Sequence, residues 1–199
     1  MIYFFFKIFS IKIDLKYNKY QNLKIGFISL VSSYMIYKDF INVIKDKKID
    51  FFVNRIECFN PLTSENLIKM SEKITEVTKD ILPNEKIDCV VYGCTSGTIA
   101  AGYQSIEKKI KKAKPEAEVT TPSTASIKAL KKLNLNKIAI FTPYPKKLND
   151  EVIDFFEKEN FQITSNSYFD IASDIDIGKV DANYLYDVLS KMDLKGADA

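Results

Sequence analysis

Two well-separated stretches of this chain carry the same pattern, and the repeat limits the fold more than any single motif does. Lys24-Ile25-Gly26-Phe27-Ile28-Ser29-Leu30 is an apolar run of strand length that ends in the hydroxyl-bearing loop Val31-Ser32-Ser33-Tyr34. Lys137-Ile138-Ala139-Ile140-Phe141-Thr142-Pro143-Tyr144 repeats the strand and the loop. A short helical pattern follows each, marked by Phe40, Ile41 and Ile44 in the first copy and by Val152, Phe155 and Phe156 in the second. A second strand comes next, Ile49 to Phe59 in one copy and Phe161 to Phe169 in the other. The first copy continues into a helix capped by Thr63, whose residues Leu67, Met70, Ile74, Val77 and Ile81 step by three and four along one face. Leu185, Val188, Leu189 and Met192 hold the matching place in the second copy, and Gly196-Ala197-Asp198-Ala199 falls where Lys86-Ile87-Asp88-Cys89 stood, so that Asp198 corresponds to Asp88.

The first copy has two further strands, Ile87 to Tyr92 and Val119 to Thr121, the latter leading through Pro122-Ser123 into a helix with Ile127, Leu130 and Leu133 on its buried face. Strands alternating with helices in this way build parallel sheets covered on both sides. The expected fold is α/β, with two pseudo-symmetric lobes, each a parallel sheet flanked by helices, and a cleft between the carboxyl ends of their strands. Residues 1–22 are read as an N-terminal appendage, 23–135 as the first lobe and 136–199 as a second lobe that is incomplete.

The chemistry concentrates where the strand Ile87 to Tyr92 stops, at Gly93-Cys94-Thr95-Ser96-Gly97-Thr98. A strand, a turn and a helix in this order aim unpaired N–H groups and the positive end of a helix dipole at whatever lies over Cys94 to Ser96. Anions are the expected ligands, and the dipole is expected to lower the pKa of Cys94 toward thiolate. Composition restricts what such a site can use. The chain has no histidine, which removes Ser-His-Asp and Cys-His catalysis. Its three cysteines, Cys58, Cys89 and Cys94, are irregularly spaced, which argues against a structural zinc site and a disulfide framework and for a reducing cytoplasm. Cys89, inside the strand, is assigned to packing. Every basic residue except Arg55 is lysine, so a carboxylate here must be held mainly by backbone N–H groups and hydroxyls.

Phosphate chemistry does not fit. No lysine follows Gly97, and Ala100 stands where a Cys-x5-Arg loop needs arginine. A net charge of +3 from 29 basic and 26 acidic residues is too balanced for a nucleic-acid binder, and the lysine-rich run at 108–114 is a solvated helix face. The apolar start, Met1 to Phe9, is interrupted by Lys7 and followed by Lys12 and Lys16 with no small-residue cleavage site, so it is neither a signal peptide nor a membrane span.

Four ordered motifs add a resemblance: Tyr92-Gly93-Cys94-Thr95-Ser96-Gly97-Thr98, Thr121-Pro122-Ser123-Thr124-Ala125, Thr142-Pro143-Tyr144 and Ser173-Asp174-Ile175-Asp176-Ile177-Gly178. Together they resemble the aspartate/glutamate racemase superfamily, in its branch of maleate cis-trans isomerases, ectoine-utilisation proteins and arylmalonate decarboxylases, over about Lys24 to Ala199. The resemblance implies two pseudo-symmetric lobes, a small carboxylate or dicarboxylate substrate, and chemistry with neither metal nor organic cofactor. It implies that Cys94 is a nucleophile or an acid/base thiol. Thr95 and Ser96 then hold the substrate carboxylate by N–H and hydroxyl, and Tyr144 hydrogen-bonds it from the second lobe. Asp174 falls where maleate isomerases have a substrate-contacting asparagine. Ser32 and Ser33 belong to the first loop, where Val31-Ser32-Ser33-Tyr34 replaces Pro-Ser-Ser-Asn and so puts a phenol in place of an amide. The second-lobe cysteine of such proteins would follow Gly196-Ala197-Asp198-Ala199, so the chain resembles a member truncated at its C-terminus.

The leading expectation is a cofactor-independent isomerase or racemase of a small carboxylate. The alternatives are an arylmalonate-type decarboxylase and, from a different class, a non-catalytic remnant or small-anion-binding module. No nucleic acid or membrane partner is expected, and a homo-oligomer is left open. Without a second-lobe thiol the 199-residue chain is expected to be inactive, and aggregation-prone or dependent on a partner, with apolar surface of Val152, Phe155, Leu185 and Leu189 incompletely covered.

Overall fold

The computed structural model describes residue 16, residues 22–33 and residues 35–199. The phenol expected at Tyr34 and the N-terminal appendage, apart from Lys16 and Asn22, lie outside the described residues. The elements alternate as the repeat requires. The first copy supplies β1 (Leu23–Leu30), α1 (Ile36–Ile44), β2 (Ile49–Ile56), α2 (Ser64–Ser71), α3 (Ile74–Lys79), β3 (Cys89–Tyr92), α4 (Thr95–Ala101), α5 (Tyr103–Ala113), β4 (Glu118–Thr120) and α6 (Pro122–Leu133). The second supplies β5 (Lys137–Thr142), α7 (Lys146–Lys158), β6 (Gln162–Tyr168), α8 (Asp174–Ile177) and α9 (Ala182–Ser190). Four strands form one parallel sheet in the order β2-β1-β3-β4, and β5 and β6 form a second parallel pair.

The correspondence of Asp88 and Asp198 is visible in the backbone. The Asp88 carboxylate accepts the Lys24 N–H at 2.8 Å, and the Asp88 N–H donates to the Lys24 carbonyl at 2.9 Å. Asp198 does the same to β5: its carboxylate accepts the Lys137 and Asn136 N–H groups at 3.0 and 3.2 Å, and its N–H donates to the Lys137 carbonyl. Each aspartate fastens the incoming chain beside the first strand of its own sheet.

The larger core lies around the four-stranded sheet, where Ile28, Ile56, Ile74, Val90 and Ile106 are fully buried. A smaller cluster of Ile127, Ile138, Ile140, Val152 and Phe161 serves the second sheet. Val152 is buried, so the incompletely covered surface expected there is absent, whereas Phe155 packs against this cluster and is only half-buried. Leu185 is half-buried, and Leu189 is exposed on α9, a helix with no buried residue.

Three element boundaries differ from the sequence reading. The long helix after Thr63 is two helices, because the Glu72 and Lys73 N–H groups reach back only three residues, to Lys69 and Met70, and tighten the turn. Buried Ser71 sits at this break, donating to the Ile68 carbonyl at 2.7 Å and accepting from Lys109 Nζ at 2.8 Å. The helix after Cys94 starts at once, at Thr95, and is divided from α5 by Gly102, whose φ of 78° a side chain would oppose. β2 ends at Ile56 and not at Phe59, releasing residues 57–63 as a loop at the carboxyl end of the sheet. Among the described residues no helix is long and apolar enough to cross a membrane.

Candidate functional site

Strand direction brings the loops together. Ser32 follows β1, Cys58 follows β2, Cys94 follows β3, Tyr144 follows β5, and Asp174 opens α8 after β6. The two sheets are fastened to each other at this end: the Leu62 N–H donates to the Ala172 carbonyl at 2.7 Å, the Asp174 N–H to Asn60 Oδ1 at 3.1 Å, and Ser64 Oγ to Glu151 Oε1 at 2.5 Å. Ser32 Oγ donates to the Asp174 carboxylate, closing the first loop against the second sheet. Ser32 and Asp174 are thereby in contact, and Cys94 lies near enough to Asp174 to feel its charge.

Cys94 caps α4 from an extended conformation, φ −134° and ψ 113°, and its sulfur accepts the Gly97 N–H at 3.2 Å. Ser96 Oγ stands 3.9 Å from the sulfur, and the Cys94 carbonyl accepts the Thr98 N–H and hydroxyl. The side chain is 4% exposed. Here the sequence expectation is overturned. Burial pushes the thiol up to about 11, outweighing the Gly97 N–H, the Ser96 hydroxyl and the Tyr92 phenol that favour thiolate, and the Asp174 charge raises it further. A helix of seven residues offering one N–H to the sulfur does not offset loss of solvent. At neutral pH the resting protein holds a thiol.

Tyr144 reaches the same place from the second sheet. Burial and the neighbouring Cys94 and Asp174 raise its phenol to about 12, while the Ser96 and Thr95 side chains act in the opposite direction. The Thr95 carbonyl accepts the hydroxyl of Ser123, from the first turn of α6, at 3.2 Å. Ser33 is engaged through its backbone: its N–H donates to the Leu30 carbonyl and its carbonyl accepts from Arg55. Arg55, the one arginine, is thereby used to hold the first loop. Two cavities reach members of this cluster, one of about 370 Å3 lined by Thr95, Phe141, Pro143 and Tyr144, the other of about 300 Å3 lined by Ser33, Asp174 and Ile177. A larger one, of about 670 Å3, lies among Asp80, Lys86, Lys114 and Glu116 at the opposite end of the strands.

Two residues of the cluster escaped the sequence reading. Cys58 faces Asp174, Ser32 and Cys94, and burial followed by the Asp174 charge drives its thiol up to about 12. Its place just past β2 was a usable signal, since loops at that end of a parallel sheet converge. Tyr92, the last residue of β3, is completely buried, and its hydroxyl has no hydrogen-bond partner. No sequence pattern marks it, because an apolar strand end reads as packing. Among the described residues no group of three histidine, cysteine, aspartate or glutamate side chains could hold a metal ion.

The arylmalonate decarboxylase family profile matches residues 63–199. A maleate isomerase of Geobacillus stearothermophilus is 23% identical over 163 residues, covering 78% of this chain and 64% of that protein. One from Pseudomonas putida is 27% identical over 124 residues, covering 59% and 50%. The chain thus spans between half and two thirds of the length of these relatives. Among solved structures, the maleate isomerase Iso of Pseudomonas putida S16 superposes with a TM-score of 0.80 at 18% identity, over 89% of this chain and 76% of that one. A mutant Nocardia farcinica maleate cis-trans isomerase with a covalently bound succinylcysteine intermediate gives 0.79 at 17% identity, over 88% and 75%. Unliganded arylmalonate decarboxylase gives 0.64 at 20% identity, over 85% and 71%. At these identities the superpositions establish the fold: α/β, with parallel sheets flanked by helices.

Proposed function

Since the chain belongs to the arylmalonate decarboxylase family, we propose that it serves as a cofactor-independent cis-trans isomerase of a small unsaturated dicarboxylate of the maleate type, with Cys94 as nucleophile. The observation that carries this reading is one thiol at the first turn of α4, where loops from both sheets converge on it. The named maleate isomerases support the substrate class, and the succinylcysteine in the Nocardia protein supports sulfur addition in that enzyme.

In this reading the Cys94 sulfur attacks one olefinic carbon as its S–H bond breaks. A C–S bond forms, the π pair moves to the adjacent carbon and into its carboxylate, and the thiol proton passes to that carboxylate. The carbon–carbon bond is then single and turns freely. When the C–S bond breaks from the rotamer with its carboxylates apart, the pair returns to re-form the double bond as trans and the proton returns to the departing sulfur. Thr95, Ser96 and Tyr144 orient one carboxylate by N–H and hydroxyl donation, and Ser32, Ser33 and Asp174 bound the other end of the substrate. Localisation in a reducing cytoplasm keeps the three free cysteines as thiols.

The family profile favours a second reading, loss of carbon dioxide from an arylmalonate-type diacid on the same scaffold. One experiment separates the two. The purified chain is incubated with maleate, phenylmalonate, aspartate or glutamate and followed by proton NMR, beside a Cys94→Ser variant. Conversion of maleate to fumarate that the variant abolishes is the result this reading requires, and it would overturn the expectation from sequence that the 199-residue chain is inactive. Turnover of phenylmalonate alone establishes the second reading, and maleate turnover that survives Cys94→Ser overturns the role of the thiol.

A further inference from the structure

The Tyr92 hydroxyl is a buried donor that makes no hydrogen bond of good geometry, and the acceptor it faces is the Cys94 sulfur. The residue is 0% exposed, and among the described residues only its oxygen and Asn149 Nδ2 are buried side-chain polar atoms without a partner. Leaving such a group unpaired is costly, and phenylalanine would fill the same space without that cost. The position of the hydroxyl supplies a reason. A Cβ placed on Gly97 would come within 2.7 Å of Tyr92 Oη and 2.9 Å of Cys94 Sγ. Phenol and thiol therefore converge on one spot beneath the first turn of α4, and the glycine keeps it open.

We infer that Tyr92 is a positioning residue for Cys94: its phenol donates a hydrogen bond to the sulfur when the thiol ionises, and so sets how much thiolate the protein supplies. The inference rests on Cys94 being the reacting thiol. A neutral thiol is a weak acceptor and already receives the Gly97 N–H at 3.2 Å. A thiolate is a strong acceptor with room for a second donor, so the bond missing in the resting protein becomes available on ionisation. Tyr92 keeps its own proton throughout, because burial holds the phenol well above its ordinary range.

The other titratable groups facing Cys94 do not provide this. Asp174, from α8, opposes ionisation by its charge. Tyr144, after β5, interacts with Ser96 and Thr95. Cys58, after β2, is a thiol that burial keeps protonated and whose neighbour is Ser32. Tyr92 is the donor with no other commitment.

The test reads Cys94 directly. The full chain and its Tyr92→Phe variant are treated with iodoacetamide from pH 6 to pH 10, and the rate at Cys94 is followed by peptide-resolved mass spectrometry, with Cys89 as internal control. The expected result is a Cys94 rate about tenfold lower at pH 8, a displacement of about one pKa unit. Thermal stability should be equal or higher, because the unpaired hydroxyl is gone. A folded Tyr92→Phe protein with an unchanged Cys94 profile overturns the inference, since a packing role moves stability and leaves the profile alone. Tyr92→Met, which fills the space with a flexible apolar chain, must show the same displacement should Tyr92→Phe melt early. Turnover is not the readout: a displaced profile in a protein that never isomerises maleate keeps this inference and sinks the proposed function, while isomerisation with an unmoved profile does the reverse.

Discussion

Gly97→Ala sets two effects of opposite sign against each other, and the structure decides between them. Gly97 occupies the third position of α4, where alanine gains roughly 1 kcal/mol of helix propensity over glycine. The new methyl group, however, would lie 2.7 Å from Tyr92 Oη, 2.9 Å from Cys94 Sγ and 3.1 Å from Met70 Cε, against about 3.5–4.0 Å for comfortable contact. Met70 can withdraw its flexible end. Tyr92 is completely buried, and the sulfur is tied to the N–H of the substituted residue itself, so neither can follow. Overpacking of this kind typically costs about 1–3 kcal/mol, which leaves a net loss of about 1 kcal/mol and a fall of roughly 2–4 °C in Tm for a chain of this size. Urea titration and calorimetry on both proteins measure it. A variant stabilised by the full helix-propensity gain would show that the space beneath α4 is not closed, and the packing argument for Tyr92 and Cys94 would go with it.

Two further outcomes follow from charge. Asp174 raises Cys94, Cys58 and Tyr144 through its charge, so Asp174→Asn, which keeps an acceptor for Ser32 Oγ, should speed Cys94 alkylation at pH 8 by roughly threefold to tenfold. It should also tighten maleate binding in isothermal titration; slower alkylation or weaker binding contradicts this. Because the Cys94 thiol titrates at about 11 in the fold against 9.0 ordinarily, the native state holds its proton more tightly than the unfolded chain. That contribution is complete below pH 9 and is lost as pH rises toward 11, by roughly 2–3 kcal/mol at most; urea midpoints at pH 8 and pH 10.5 should differ less in Cys94→Ser than in the parent chain.

The repeat in the sequence was enough to reach the fold because its period was set by burial. Ile25 to Leu30 and Ile138 to Phe141 read as strands because they are apolar runs of strand length, and the Asp88–Asp198 match held because each carboxylate caps the start of its sheet. Helix breaks were less legible. Nothing in Leu67, Met70, Ile74 and Val77 reveals the tightened turn at Glu72, since the apolar spacing runs through it unbroken. At the site, Cys94 was read from its place at a strand end, and Ser32, Tyr144 and Asp174 from the family resemblance, whereas Cys58 and Tyr92 stand out only through what they face across the sheet, which spacing along the chain does not encode.

The reversed expectation for Cys94 says most about how such a site must work. A helix N-terminus acts on a thiol through one or two N–H groups, and here the Gly97 N–H is in place at 3.2 Å. Burial acts on the whole charge, and at 4% exposure it dominates. The dicarboxylate of the proposed reaction would bring further negative charge beside Asp174, and among the described residues no lysine or arginine acts on the thiol. Ionisation must therefore be drawn out by hydrogen-bond donors aimed at the sulfur: the Gly97 N–H, the Ser96 hydroxyl 3.9 Å away and the unpaired phenol of Tyr92. Each acts more strongly on the charged form than on the neutral one, so in the proposed reaction the thiol stays protonated until a step that consumes thiolate pulls the equilibrium over. If Cys94 is the nucleophile proposed above, it is protected at rest, and its reactivity should depend on the donors far more steeply than on ionic strength.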